Sequence, residues 1–103
     1  MKKVLALIIT SDKYLNHIVG LIEAAAKKDC DIKIFITDKG VFLTENSEFI
    51  AAVKKNDVCA SVCEYSCGVN GILSRKEEFN YASQFENSKM LNGLKKNDRV
   101  LLF

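Results

Sequence analysis

Cys59, Cys63 and Cys67 recur at an even spacing where an apolar strand gives way to a glycine-containing turn. The chain has four cysteines, one histidine, no tryptophan and no proline. It has no glycine-rich loop of the kind that cradles phosphate, so sulfur is the reactive element its side chains offer. Thiol chemistry needs the thiolate, and an ordinary thiol is only about 3% ionised at pH 7. The question is which cysteine sits where its charge is favoured.

Reach argues against a shared metal ion. On a strand, Cys59 and Cys63 lie about 13 Å apart; on a helix, Cys59 and Cys67 lie about 12 Å apart. Zinc–sulfur bonds of about 2.3 Å span neither, and the β-rich Val58-Cys59-Ala60-Ser61-Val62 argues against a loop that would gather them. Cys59 within that strand reads as a small buried apolar residue, and Cys30, just past a helix end, as structural. Cys63 ends the strand at the rim, before a segment able to form a helix N-terminus. Such a terminus contributes about 0.3–2 kcal/mol towards an anion, enough for a moderately activated nucleophile, so Cys63 reads either as a reactive thiolate or as a packing thiol. Cys67 can approach Cys63 across Glu64-Tyr65-Ser66 for a disulfide or a sulfur hand-off if their Cα atoms come within about 7 Å.

The elements that position these residues follow from periodicity. Val4–Ile9 is a continuous apolar run, as in a strand buried on both faces. Thr10, Ser11 and Asp12 offer capping side chains for a helix whose Leu15, Ile18, Val19, Ile22 and Ala26 form one apolar stripe. Asp31–Thr37 is a second strand and Asp38-Lys39-Gly40 a turn. Asn46 or Ser47 caps a second helix bearing Phe49, Ile50 and Val53. Asp57–Cys63 is a third strand, Ser66–Leu73 a short helix, and Glu78–Ser83 a short fourth strand. Phe85–Leu94 reads as a helix and Asp98–Phe103 as a last, buried strand. Strands alternating with helices imply a parallel sheet covered on both faces, with reactive groups beyond the strands' carboxyl ends. Thr10 to Asp12, Asp38 and Cys63 fall there. His17 reads as a polar residue on a helix flank or as a cation near the Cys63 thiolate, and Asp12 and Asp38 are auxiliary candidates beside their bland readings as helix cap and turn.

At 103 residues the chain forms a single domain, 1–103, able to bury roughly 65% of its unfolded surface without disulfide or metal. A net charge of +2 is too small to imply a nucleic-acid or anionic-membrane partner. Val4–Ile9 is shorter than the usual signal-peptide core of about 7–15 residues, and no run approaches the ~18 apolar residues of a membrane span. The expected location is cytoplasmic, where cysteines stay reduced. Thr10-Ser11-Asp12-Lys13-Tyr14 lacks the glycines that let backbone amides crowd a phosphate, which argues against nucleotide or flavin binding.

The chain resembles the DsrE/DsrF-like family, which includes the TusD-type sulfur-relay subunits. The resemblance is carried by the first strand with Tyr14 to Ala25, by Ile34-Phe35-Ile36-Thr37-Asp38-Lys39-Gly40-Val41, by Val62-Cys63-Glu64-Tyr65-Ser66 with Gly71-Ile72, and by Asp98 to Phe103. It implies a three-layer α/β/α fold with a five-strand parallel sheet of Rossmann-like topology. It also implies a persulfide carried on Cys63, with no cofactor and no metal. The partners it implies are sulfur donor and acceptor proteins in a homo- or hetero-oligomer, with Phe42, Phe79 and Phe85 at an interface or in the core. The alternative is a non-catalytic oligomeric binding or assembly module of the same fold. Asp29-Cys30 stands where family members often place glycine, and Asp29 tolerates the left-handed conformation better than most residues.

Overall fold

The computed structural model describes residues 3–83, 93–94 and 98–103. Five strands, β1 (Val4–Ile9), β2 (Asp31–Ile36), β3 (Cys59–Cys63), β4 (Asn80–Ala82) and β5 (Arg99–Leu102), form one sheet in the order β4-β3-β2-β1-β5. Every pairing is parallel. Helices α1 (Leu15–Lys27), α2 (Ser47–Lys55) and α3 (Glu64–Val69) and a 3-10 helix (Asp38–Glu45) connect the strands. The α/β class and the five-strand parallel sheet are those expected. The predicted helix over 85–94 falls for residues 85–92 outside the described residues, and Gly93 and Leu94 are not helical.

Register sorts the strands into two faces. Leu7, Ile34 and Ala60 lie side by side, as do Ile9, Ile36 and Val62, because parallel partners point the same way. On this face α1 and α2 pack against each other and against the sheet, with Ile18, Ile22, Phe49 and Val53 fully or almost fully buried. Phe79 joins them, its ring stacked on Phe49 with centroids 5.9 Å apart. It is a core residue and not an interface one.

Each of the three α-helices ends in the same way. After α1, Asp29 N–H donates to Ala26 O at 3.1 Å and Cys30 N–H to Ala25 O at 3.1 Å. After α2, Asp57 N–H donates to Lys54 O at 3.5 Å and Val58 N–H to Val53 O at 3.1 Å; after α3, Gly71 and Ile72 repeat the pattern with Gly68 and Cys67. This is the Schellman arrangement, which needs a left-handed residue just past the cap. Asp29 (φ 58°), Asp57 (φ 52°) and Gly71 (φ 73°) supply it, so aspartate takes the left-handed position after α1 and after α2.

Three expectations are corrected. β5 is not buried: Val100, Leu101 and Leu102 are exposed, because among the described residues β5 is an edge strand bonded to β1 alone. Cys59 is exposed rather than buried, since it opens β3 on the face away from α1 and α2, beside Lys33. Asp12 does not cap α1. The cap position is Tyr14, with no side-chain cap bond, and Ser11 Oγ accepts the Lys13 N–H at 3.2 Å within the preceding turn. A capping side chain must directly precede the first helical residue, and Asp12 lies too far upstream of Leu15. The second cap is as read: Asn46 Oδ1 accepts the Phe49 N–H at 3.0 Å.

Candidate functional site

The strand order reverses between β1 and β5, and in open parallel sheets that is where a ligand crevice usually opens. Here Phe103 fills it. Its N–H donates to Ile8 O at 2.8 Å and its carbonyl accepts the Thr10 hydroxyl at 2.8 Å. Its ring meets that of Tyr14 at 6.1 Å. The open space at this rim lies beside it, over the ends of β2 and β3.

β3 passes into α3 without a loop. Cys63 is both the last strand residue and the helix N-cap (φ −71°, ψ 115°), so α3 begins two residues earlier than the expected Ser66 boundary. This junction fixes the environment of the sulfur. An N-cap side chain faces the backbone N–H groups of the second and third helical residues, here Tyr65 and Ser66. The side chain of Ser66, one turn on, returns towards the same atom, and Thr37 approaches from the end of β2. Burial pushes the Cys63 thiol up, but the Ser66 hydroxyl and N–H, the Thr37 hydroxyl and the Tyr65 N–H together outweigh it, and the pKa lies below that of an ordinary thiol. Cys63 makes no ordinary cap hydrogen bond in this structure. A thiol sulfur is a weak acceptor and a thiolate a strong one, so these donors act chiefly on the ionised form.

A second network holds the surround in place. Ser66 Oγ accepts the Asp38 N–H at 2.9 Å and lies 3.1 Å from Thr37 Oγ1. Asn70 Nδ2 donates to Ser66 O at 2.8 Å and Asp38 O at 3.3 Å, and Lys39 Nζ donates to Asn70 Oδ1 at 3.2 Å. Asp38 takes a left-handed φ of 52°, which redirects the chain from β2 into the 3-10 helix. Beneath, Gly40 passes so close to β1 that a Cβ would stand 2.5 Å from Ile9 O.

Thr37 and Ser66, which touch Cys63, also line a surface depression of about 340 Å³ with Thr10, Asp38, Tyr65 and Asn70. Cys63 itself has no exposed surface. Cys67 lines a different depression, of about 190 Å³, on the other side of α3 with Glu64, Arg75 and Tyr81. Its pKa is raised, first by burial, then by charge on Cys63, with Glu64 adding and Arg75 opposing. Glu64 is paired with Arg75, whose Nη2 donates to Oε2 at 2.9 Å.

Of the sequence candidates, then, Asp38 reaches the Cys63 surround through its backbone, and Cys67 is near enough for charge on one sulfur to be felt by the other. His17 and Asp12 are exposed and line neither depression. Among the described residues no group of three His, Cys, Asp or Glu is placed to hold a metal ion, and no helix is long and apolar enough to cross a membrane. Thr37, Ser66 and Asn70 were not singled out from the sequence. The available signal was Cys63-Glu64-Tyr65-Ser66, a capping interval with a hydroxyl at the third helical position.

No protein-family model matches the chain, and no curated protein matches it. Solved structures do. The ychN protein from E. coli aligns with a TM-score of 0.77 at 12% identity, covering 100% of both chains. A conserved protein of unknown function from Bacteroides thetaiotaomicron, BT1422, aligns at 0.74 and 12% identity, covering 98% of this chain and 95% of its own. At that identity the likeness speaks to architecture alone: the chain has an α/β fold of the DsrE-like type.

Proposed function

We propose that the protein is a sulfur carrier in which Cys63 accepts sulfane sulfur and passes it on. The observation that carries this reading is the convergence of two hydroxyls and two backbone N–H groups on Cys63, favouring its thiolate at the carboxyl rim of a parallel sheet. The thiolate attacks the outer sulfur of a donor persulfide, forming Cys63–S–SH and breaking the donor S–S bond, with the donor leaving as its thiolate. An acceptor thiolate attacks the outer sulfur in turn and releases Cys63 as the thiolate. This is thiol–disulfide exchange with sulfane sulfur as the cargo, and neither step needs a resident cofactor.

The test is intact-protein mass spectrometry of the reduced protein after exposure to sulfane donors, beside Cys63→Ser. A reductant-reversible gain of one sulfur, located at Cys63 and lost in the variant, is expected. Undiminished loading of the variant sinks the assignment.

A second reading, a non-catalytic oligomeric binding module, is favoured by one observation: no surface of Cys63 is exposed. Under it, Cys63 is alkylated more slowly than exposed Cys59 at every pH.

A further inference from the structure

We infer that a groove between α1 and the β1–β5 pair binds a small amphipathic anion, a carboxylate on a short apolar chain. The groove lies at the amino ends of the strands, at the opposite end of the sheet from Cys63, and is independent of the sulfur chemistry proposed there.

Its walls follow from register and helical spacing. Arg99 opens β5 beside Leu5 of β1, and alternation puts both on the face that Leu7 and Ile9 present to α1. On that face α1 packs towards β2 and α2. Along its other flank a concavity of about 290 Å³ remains, walled by Leu5, Leu21, Ala24 and Ala25. Leu21, Ala24 and Lys28 fall on one stripe of the helix, and the small alanines leave the room.

Three cations from separate elements meet at this groove. Lys3 precedes β1, Lys28 is the C-cap of α1 and Arg99 opens β5, and all three line it. Among the described residues no acidic side chain lines it. Lys3, Lys28 and Arg99 are exposed, so their stems extend the apolar wall while their charged ends face water. Open carbonyls at a helix C-terminus repel anions. Here Ala25 O and Ala26 O are taken by the N–H groups of Lys28, Asp29 and Cys30. Asp98, beside Arg99, has Oδ1 on the Val4 N–H at 2.9 Å.

Apolar walls with cations at the rim match the tail and head of an amphipathic carboxylate. A second copy placed across the groove by a two-fold axis would set the three cations against the same three, which like-charge repulsion opposes. A bilayer receives a protruding apolar face, whereas this one is recessed. The volume sits near the lower end of small-molecule sites, about 300–1,000 Å³, and suits a chain as short as octanoate.

The experiment follows backbone amides by NMR while the isotope-labelled protein is titrated with octanoate, octanol or acetate. Saturable shifts centred on Leu5, Ala24, Lys28 and Arg99 are expected with octanoate. Octanol lacks the charge and acetate the tail, and each should bind about tenfold or more weakly. Lys28→Gln should weaken octanoate about tenfold and leave octanol unchanged. Ala24→Phe, at an exposed position, should fill the groove and abolish both; the amide spectra of the free variants establish that they fold. No saturable shift, shifts centred elsewhere, equal affinity for octanol, or undiminished binding in Ala24→Phe overturns the inference. So do two other outcomes. The same amides shifting with protein concentration alone would assign the groove to a second copy. Cosedimentation with phosphatidylglycerol vesicles by a protein that ignores octanoate would assign it to a membrane surface.

Discussion

Ser66 Oγ accepts the Asp38 N–H at 2.9 Å, and with the Thr37–Ser66 and Asn70–Asp38 contacts this bond ties the end of β2 to the helix that Cys63 caps. With one lone pair committed to Asp38, the Ser66 hydroxyl proton is left for Thr37 or for sulfur. Ser66→Ala removes the donor and strands the Asp38 N–H together. A hydrogen bond to a charged group contributes about 1.5–3 kcal/mol, so neutral-pH alkylation of Cys63 should fall on the order of tenfold. Stability should fall by about 1 kcal/mol. Ser66→Thr should restore much of the rate, and a rate unchanged in Ser66→Ala would remove the serine from the site.

The pH dependence has a definite sign. The Cys63 pKa is lowered in the folded protein, so its contribution to stability is present above the unfolded thiol value of about 8.5 and is lost as pH falls through the folded value. The stability of wild type relative to Cys63→Ser should therefore rise between those two values. Cys67, with a raised pKa, acts oppositely: its contribution is present below the unfolded value and lost as pH climbs through the folded one. Urea melts of Cys63→Ser and Cys67→Ala across pH 6 to about 10 should show differences of opposite slope.

Much of the fold was legible because it follows from periodicity, as in the apolar run of β1 and the stripe of α1; the cap of α2 was narrowed to Asn46 or Ser47, and the structure places it at Asn46. β5 was misread because an apolar run records hydrophobicity and not strand order; only the topology puts Arg99–Leu102 at an edge. Cys63 was legible from its place at a strand end. Its partners were not, because Thr37 and Ser66 meet only when β2 and β3 are neighbours in register, which local pattern does not encode. Cys67 was read as able to approach Cys63 across Glu64-Tyr65-Ser66; charge on Cys63 is felt at Cys67, and Cys67 lines a separate depression.

Two glycines should respond oppositely to alanine. At Gly40 a Cβ would stand 2.5 Å from Ile9 O and 2.9 Å from Ile9 Cγ2. Backbone must shift, so Gly40→Ala should cost about 1–3 kcal/mol, and about 4–8 °C of Tm for each kcal/mol. Because Gly40 N–H bonds to Thr37 O at 3.0 Å, Cys63 alkylation should change as well. Gly20, inside α1, has nothing within 4 Å of a built Cβ, and Gly20→Ala should stabilise by about 0.5–1 kcal/mol.

Asp57 occupies after α2 the left-handed position that Gly71 occupies after α3. Such a conformation costs an L-residue about 1–2 kcal/mol, less for Asp, and glycine loses about 0.4–1 kcal/mol through greater unfolded-state freedom. The balance favours Asp57→Gly by about 0.5 kcal/mol, a rise of a few degrees in Tm. A fall in Tm would mean that the Asp57 side chain contributes more than its backbone costs.

Tyr65 tests how the covered sulfur is reached. It is 77% exposed and lines the depression over Cys63, so Tyr65→Ala should alter stability by no more than about 0.5 kcal/mol. Its N–H, one of the donors facing Cys63, is retained, so the pH midpoint of Cys63 alkylation should not move. What should change is selectivity for size. Iodoacetamide should react at nearly the wild-type rate, while a bulky maleimide should react about tenfold faster, equivalent to about 1.4 kcal/mol less obstruction. If both reagents accelerate equally, the substitution has loosened α3 as a whole. If neither does, the path to Cys63 runs past Thr37 and Ser66 alone, and the ring of Tyr65 does not guard it.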